Sequence, residues 1–73
     1  MRQEIFEAWR LKIEGVLIEK GEIPITILSS HLKTSLATTQ KYINLLELKK
    51  IINTRVEGRN RLISINIKKN VHR

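Results

Sequence analysis

Residues 28–52 read LSSHLKTSLATTQKYINLLELKKII, and the hydrophobic spacing of this stretch decides the fold. Apolar residues recur at three- and four-residue steps on both sides of a polar break, which predicts two consecutive helices joined by a tight turn. The helix before the turn would place Leu28 and Leu32 in the core, with the small Ser29 where the two helices cross. The helix after the turn would follow an N-cap at Ser35, whose hydroxyl can accept a hydrogen bond from a backbone N–H of the first turn. Its predicted inward positions are Thr39, Tyr42, Ile43 and Leu46.

Upstream of this stretch, the sequence predicts one longer helix over residues 2–20. Its apolar residues also follow a helical period, and they form one face: Ile5, Phe6, Trp9, Ile13, Val16 and Leu17. The run GEIP at 21–24 ends this helix, because glycine favours the position after a helix and the residue before proline avoids the helical region. Ile23 and Ile25 then fit a short extended segment.

The boundaries of the next two helices follow from their capping residues. Counting the helix over residues 2–20 as the first, Thr26 is the predicted N-cap of the second helix, which contains Leu28 and Leu32. This helix ends at about Lys33, and Thr34 lies in the turn before the third helix. With the third helix ending at about Lys50, the two helices and their turn span residues 26–50.

After residue 50 the hydrophobic period changes from helical to alternating, which predicts strands. Two sets of residues occupy alternate positions: Ile52, Thr54 and Val56, then Ile63, Ile65 and Ile67. The sequence EGRN between them predicts a turn, in which Gly58 and Asn60 are the residues that tolerate positive φ. Residues 51–67 are therefore a predicted β-hairpin, and residues 68–73 form a short basic tail.

The order helix, short strand, helix, tight turn, helix, hairpin resembles the winged helix-turn-helix family, in particular small archaeal and other prokaryotic transcriptional regulators. The resemblance covers residues 5–67 and implies one α+β domain over residues 1–73, with the hairpin as the wing. Two features depart from the family pattern. Lys33 stands where a glycine often closes the helix, which we interpret as a changed turn outside the left-handed region, and Thr34 and Thr39 replace the usual Val or Ile.

Charge is the most informative bulk property of the chain. A net charge of +7 on 8.6 kDa, with a pI near 10.3, is typical of a protein that binds a polyanion. Residues 1–22 carry four Lys or Arg against five Glu, whereas residues 23–73 carry ten against two. Solubility alone would explain an excess of positive charge, but it would not require this segregation.

Several classes of function lack support in the sequence. The chain has no Cys and no Asp, and its two His lie far apart, so neither a catalytic triad nor a metal cluster is visible. We therefore expect no enzymatic activity, no cofactor and no small-molecule ligand. The charged N-terminus does not resemble a signal peptide, and no apolar run reaches membrane-spanning length, so we expect a cytoplasmic, nucleoid-associated protein.

The third helix is lightly charged at its start, and the family resemblance offers a reason. In that fold this helix enters the DNA major groove, where short side chains allow close approach. The resemblance implies that Ser35 and Thr38 position the backbone, that Leu36 and Ala37 touch thymine methyls, that Gln40 reads adenine and that Lys41 reaches guanine or phosphate. The alternative is an ordinary N-capped helix whose surface residues have no role in binding.

The hairpin supplies a second group of candidate DNA contacts. Arg55, Arg59 and Arg61, with Asn60, lie around Gly58, and we expect the three guanidinium groups to cluster at one exposed tip. Such a cluster would clamp phosphates or enter a narrow minor groove. The alternative is a solvated hairpin kept soluble by its charge.

The predicted helix over residues 2–20 carries a second apolar stripe, on the side away from its core face. It consists of Ala8, Leu11, Gly15 and Ile18, at steps of three, four and three residues. Small residues between larger ones would allow close contact between helices, so we predict a homodimer through this stripe. Scattered exposed apolar residues are the alternative explanation.

These observations favour sequence-specific binding of double-stranded DNA by a transcriptional regulator. Two other functions remain open at this point. One is a winged-helix module for protein–protein interaction, since fold does not determine function. The other is non-specific DNA packaging, for which phosphate contacts suffice.

Overall fold

The structure is a computed structural model that describes residues 3–66. Its elements in chain order are α1 (Gln3–Lys20), β1 (Ile23–Pro24), α2 (Ile25–Leu32), α3 (Leu36–Leu48), β2 (Ile52–Glu57) and β3 (Asn60–Ile65). The predicted number, type and order of elements are thus confirmed, with the boundaries shifted by one or two residues. The predicted roles of Arg2 and Ile67 and of the basic tail at 68–73 lie outside the described residues.

The three strands form one antiparallel sheet in the order β1-β3-β2. β3 is the central strand, with Thr54 of β2 opposite Ile63 and Ile23 of β1 on its other side. Gly58 has φ +63° at the first position of the two-residue turn between β2 and β3, as a type II′ turn requires. Asn60, the other residue predicted to tolerate positive φ, does not adopt it, because Asn60 is already in β3 and pairs with Glu57.

The core lies where the three helices meet one face of the sheet. Every helix and the two long strands contribute a side chain that is essentially inaccessible to solvent: Ile13, Leu28, Thr39, Ile43, Leu46, Ile52 and Ile63. Trp9 of α1 stacks on Tyr42 of α3, with ring centroids 5.1 Å apart, and closes one side of this core. α3 is therefore held from behind by both other helices, and its opposite face is left open.

Ile5 is an exception to the predicted core face of α1, because 47% of its surface is exposed. It lies in the first turn of the helix, ahead of the core residues Ile13 and Leu17. The hairpin shows a similar gradient along β2: Ile52 is buried, Thr54 is half-buried and Val56 is 73% exposed. The strand therefore extends beyond the core and projects its tip into solvent.

Leu62 is buried although it lies on the sheet face opposite the core. Its neighbours across the two ladders are Pro24 of β1 and Arg55 of β2, so both side chains flank it on that face. The alternating pattern assigned Ile63 and its alternate neighbours to one face and made no prediction for Leu62. The aliphatic part of an arginine side chain can cover apolar surface, and Arg55 lies directly opposite Leu62 on this face.

The start of α2 differs from the prediction. The helix begins at Ile25, its N-cap is Pro24 with φ −64° and ψ 149°, and no side chain caps it. Thr26 is therefore a helical residue and not the cap, and Ile25 is a buried helical residue and not part of the strand. The reason is that Pro24 pairs with Leu62 in the sheet, so the chain passes directly from strand to helix.

The turn between α2 and α3 also differs from the prediction. Lys33 adopts φ 57° and ψ 45°, which is the left-handed conformation that the sequence interpretation excluded. This conformation lets the Lys33 and Thr34 amides donate to carbonyls of the last turn of α2, at Ser30 and Ser29. With only three residues between the helices, the chain has to reverse at once, and the lysine accepts a strained conformation usually occupied by glycine.

Gly15 and Gly21 provide a matched test of backbone conformation. Among residues 3–66, a Cβ atom at either position would meet no neighbouring atom within 4 Å, but Gly21 has φ +76° whereas Gly15 is inside α1. We expect Gly21→Ala to lower the free energy of unfolding by about 1 kcal/mol, because the left-handed region is unfavourable for alanine. Gly15→Ala should raise it by up to about 1 kcal/mol through helix propensity. Urea denaturation at low protein concentration measures both, and effects of the same sign would contradict this account.

Candidate nucleic-acid interface

The N-terminus of α3 is fixed by a set of short hydroxyl side chains. Ser35 is the N-cap, as predicted, and its Oγ accepts a hydrogen bond from the Thr38 amide at 3.1 Å. The Ser35 hydroxyl in turn donates to Thr38 Oγ1 at 3.0 Å, and the Thr39 hydroxyl donates to the Ser35 carbonyl at 3.0 Å. These bonds satisfy the hydroxyl groups locally and hold the first turn of α3 in place.

The outward face of α3 exposes short or uncharged side chains over its first two turns. Leu36, Ala37, Gln40 and Lys41 are all exposed, whereas Thr38 is half-buried beneath the cap. The first turn contains no acidic residue. The structure therefore brings the predicted recognition residues to one accessible surface, with a single positive charge at Lys41.

Asn44 belongs to the same surface and was missed in the sequence analysis. It is exposed, and it follows Gln40 by one turn and Ala37 by two, which places the three residues on one helix face. That spacing was visible in the sequence. The DNA contacts that the family resemblance implies on this helix end at Lys41, and Asn44 lies beyond them.

Arg55 does not join the other wing arginines, so the predicted cluster of three guanidinium groups is wrong. Its Nε and Nη2 atoms donate to the two carboxylate oxygens of Glu22, at 2.8 and 2.9 Å. Arg55 lies opposite Leu62 and Arg61 opposite Val56, so the two arginines point to opposite faces of the hairpin. The contact with Glu22, which is 33 residues away in the chain, has no local sequence signal.

The pair of Glu22 and Arg55 also changes the titration of the carboxylate. The hydrogen bonds from Arg55 hold the pKa of Glu22 below its ordinary value, because they favour the charged form. A lowered pKa in the folded state means that the pair contributes stability above the ordinary carboxyl pKa. This contribution is lost as the pH falls through the lowered value.

Arg61 joins the wing to α3. Its Nη2 atom donates to Asn44 Oδ1 at 3.0 Å and to Glu47 Oε1 at 3.4 Å. The other carboxylate oxygen of Glu47 accepts from the Thr54 hydroxyl at 2.9 Å. We call Asn44, Glu47, Thr54 and Arg61 the helix–wing network, and it positions the hairpin against the exposed face of the helix.

Arg59 is the cation at the tip of the wing. It is exposed, and within residues 3–66 it makes no hydrogen bond or ion pair. Asn60 beside it is exposed and begins β3. Of the three wing arginines, Arg59 is therefore the one whose charge is not matched by a carboxylate of the described chain.

The stripe on α1 is accessible, as its predicted role requires. Leu11 is 60% exposed and Ile18 is 75% exposed, and Ala8 and Gly15 between them are also exposed. Within the described chain no other element covers this face. The dimer itself stays a prediction.

Across residues 3–66, no three His, Asp or Glu side chains lie close enough together to hold a metal ion. None of the helices in that range is long and apolar enough to cross a membrane. An open groove of about 500 Å³ lies between α1 and the end of α3, and it is lined by Gln3, Phe6, Glu7, Arg10, Leu45, Lys49 and Ile51.

No protein-family model matches the chain, and neither does any curated protein. Among solved structures, the chain is similar to the Zα domain from Carassius auratus PKZ, in the crystal structure of its complex with Z-DNA. The TM-score is 0.76, the match covers 84% of this chain and 97% of that domain, and the sequence identity is 11%. This likeness confirms the predicted α+β winged-helix fold.

The cap of α3 generates a stability prediction. Replacing Ser35 by Ala leaves the Thr38 amide without its acceptor, so the free energy of unfolding should fall by about 1 kcal/mol. Ser30→Ala is the matched control, since Ser30 is an exposed residue within α2 and is not a cap. Chemical denaturation should detect a loss for Ser35→Ala and almost none for the control. Equal effects would mean that the cap does not stabilise the helix.

Proposed function

We propose that this protein binds double-stranded DNA, with α3 in the major groove and the wing β2–β3 against the backbone or minor groove. We propose further that it regulates transcription by occupying a specific site. The observation that carries the proposal is the exposed face of α3, which presents Leu36, Ala37, Gln40 and Lys41 and has no acidic residue in its first turn.

Short side chains on this face allow the helix to approach base edges closely. The backbone N–H groups at a helix N-terminus favour phosphate, and the bonds between Ser35 and Thr38 hold this end of α3 in a defined shape. Deeper in the groove, the Gln40 carboxamide suits adenine, and Leu36 and Ala37 suit thymine methyls. Lys41 would reach guanine or phosphate.

The charge distribution supports a polyanionic partner. The net charge is +7, and the acidic residue of α3, Glu47, is engaged by Arg61 and Thr54. Arg59 then places a positive charge at the wing tip, where it would contact the DNA backbone. A module for protein–protein interaction would instead be favoured by a contiguous apolar surface on α3.

A second candidate is recognition of left-handed DNA. The observation that favours it is the similarity to the PKZ domain, which was crystallised in complex with Z-DNA. Recognition of this kind would depend on the shape of the backbone rather than on base edges. The two candidates therefore predict different preferences for the same protein.

Fluorescence anisotropy of the purified protein separates these possibilities. The duplexes are the upstream DNA of its own gene, a scrambled duplex of equal length and an alternating dC-dG duplex held in the left-handed form, each at several salt concentrations. A preference of roughly 10³-fold for the upstream DNA would support a site-specific regulator. Preference for the left-handed duplex would support the second candidate, and equal, steeply salt-dependent binding would indicate packaging. Absence of binding at low salt would overturn the proposal.

The wing arginines should differ in their contributions to DNA binding. Arg59→Ala should weaken binding to all duplexes and reduce the salt slope by about 1, because one phosphate contact is lost. Arg55→Ala removes the same charge but from the pair with Glu22, so its effect on affinity should be smaller. Gln40→Ala should mainly relax sequence preference. Equal effects of the two arginine substitutions would contradict the assignment of Arg59.

We also propose that the protein is a homodimer through Ala8, Leu11, Gly15 and Ile18 of α1. A Cβ atom at Gly15 would meet no neighbouring atom of residues 3–66 within 4 Å, so packing within the described part of the chain does not require a glycine there. Glycine inside a helix costs about 1 kcal/mol relative to alanine, and close approach of a second α1 would account for it. A two-fold dimer would match half-sites about 34 Å apart on DNA.

Leu11→Glu tests this interface. A charge in the centre of the stripe should be incompatible with burial against a second copy, so we expect monomers in sedimentation experiments. Gln3→Glu adds the same charge to an exposed position of the same helix, away from the stripe, and should leave the mass unchanged. A parent protein that is itself monomeric, or a dimeric Leu11→Glu variant, would refute the proposed interface.

A further inference from the structure

We infer that the ion pair between Glu47 of α3 and Arg61 of the wing supports discrimination between duplexes rather than sequence-independent affinity. Glu47 cancels the charge of Arg61 at the interface, and the pair positions the wing against α3. This inference rests on the proposed function and deepens it, because it separates the part of the interface that provides affinity from a part that provides discrimination.

The pair lies at the edge of the proposed interface. Arg61 Nη2 donates to Glu47 Oε1 at 3.4 Å and to Oδ1 of Asn44, a residue on the exposed face of α3, at 3.0 Å. Neither charged side chain is buried, since 27% of Arg61 and 45% of Glu47 are exposed. Charges interact over about 8 Å at physiological salt, so a DNA backbone docked on α3 would interact with both members of the pair.

The first consequence concerns charge. Sequence-independent binding depends on the release of counterions, so the net positive charge that faces the phosphates determines its strength. The pair has a net charge of zero. Among residues 3–66 only the Nη2 atom of the Arg61 side chain makes hydrogen bonds, so its other N–H groups can still donate to a phosphate. Glu47 therefore does not block Arg61, but it removes the electrostatic gain of placing a cation there.

The second consequence concerns geometry. The other oxygen of Glu47 accepts from the Thr54 hydroxyl at 2.9 Å, so one carboxylate of α3 contacts β2 through Thr54 and β3 through Arg61. An isolated surface pair contributes little to stability, but a network with several partners restricts the orientation of each member. A complex that distinguishes one duplex from another needs α3 and the wing in a fixed relative position. Binding through phosphate charge alone does not need it.

The second ion pair of the wing provides an internal comparison. Arg55 donates to both oxygens of Glu22, at 2.8 and 2.9 Å, so this pair is shorter than the pair of Glu47 and Arg61. It has the same net charge of zero, but it lies on the opposite face of the hairpin and does not contact α3. If the strength of an ion pair were decisive, the Glu22 pair would matter more. If its position is decisive, the Glu47 pair matters more, as we infer.

Glu47→Gln tests the cancellation of charge, because it keeps the shape of the side chain and removes its charge. In fluorescence anisotropy at about 0.1 M salt, we expect the variant to bind the scrambled duplex roughly three- to tenfold more tightly than the parent. The salt dependence should steepen by up to about 1, because the charge of Arg61 is no longer cancelled. Glu22→Gln makes the same change in net charge on the opposite face, so both of its effects should be smaller.

The double variant Glu47→Gln with Arg61→Met tests the positioning role. It removes the ion pair without changing the net charge, and methionine keeps the aliphatic part of the side chain. Affinity for the scrambled duplex and its salt dependence should match those of the parent. Preference for the duplex that the parent binds best should fall roughly two- to fivefold, the range of an exposed ion pair. The matched control, Glu22→Gln with Arg55→Met, should keep both the affinity and the preference.

Failure of this inference and failure of the proposed function give different results. The inference is overturned, and DNA binding stands, if Glu47→Gln tightens binding no more than Glu22→Gln. The same holds if the Glu47 and Arg61 double variant keeps the parental preference, loses affinity for the scrambled duplex, or changes no more than its control. A parent that binds all duplexes alike also overturns it, since there is no preference to support. If the parent binds no duplex, the proposed function and the inference both fall. Circular dichroism of each variant checks that the fold is unchanged.

Discussion

The burial of a few aliphatic side chains between three helices and one sheet face is the constraint on which the rest of the structure depends. Five of these side chains have no access to solvent, and they pack α3 against both other helices: Ile13, Leu28, Ile43, Leu46 and Ile63. In so small a domain this core is the main source of stability. α3 packs into the core on its inner side and touches the wing at Asn44 and Glu47, so the outer side of its first two turns remains available for a partner. The left-handed turn at Lys33 and the cap at Ser35 then define where that outer surface begins.

The parts of the fold that were predicted from the sequence are those with local signals. Helical and alternating spacing located each element, and the cap at Ser35 and the stop at Gly21 follow from residues within one turn. The errors arose where distant parts of the chain decide the outcome. Pro24 occupies the N-cap position of α2 because it pairs with Leu62 in the sheet. Arg55 is directed away from the wing tip, where it forms an ion pair with Glu22. A count of charges along the hairpin could not distinguish three arginines that have three different surroundings.

The same distinction applies to the candidate site. The exposed residues of α3 were predicted because helical period and capping place them on one face. Asn44 and its contact with Arg61 were not predicted, since the contact joins positions 17 residues apart and depends on how the hairpin folds back towards the helix. Exposure of a polar side chain is therefore a local property, whereas the hydrogen-bond partners that it finds are a property of the tertiary structure.

The pairing of the wing arginines bears on the choice between specific recognition and packaging. Sequence-independent binding gains affinity from each unpaired cation, because it depends on the release of counterions from phosphate. Here Glu22 and Glu47 each engage an arginine of the wing, and Glu47 lies on the helix that would face the DNA. Such carboxylates reduce electrostatic attraction to any duplex. What they provide instead is a defined geometry, since the hairpin, Arg61 and Asn44 are held in one arrangement before a ligand arrives. Preorganised side chains are of little use to a packaging protein, but a protein that distinguishes one base pair from another depends on them.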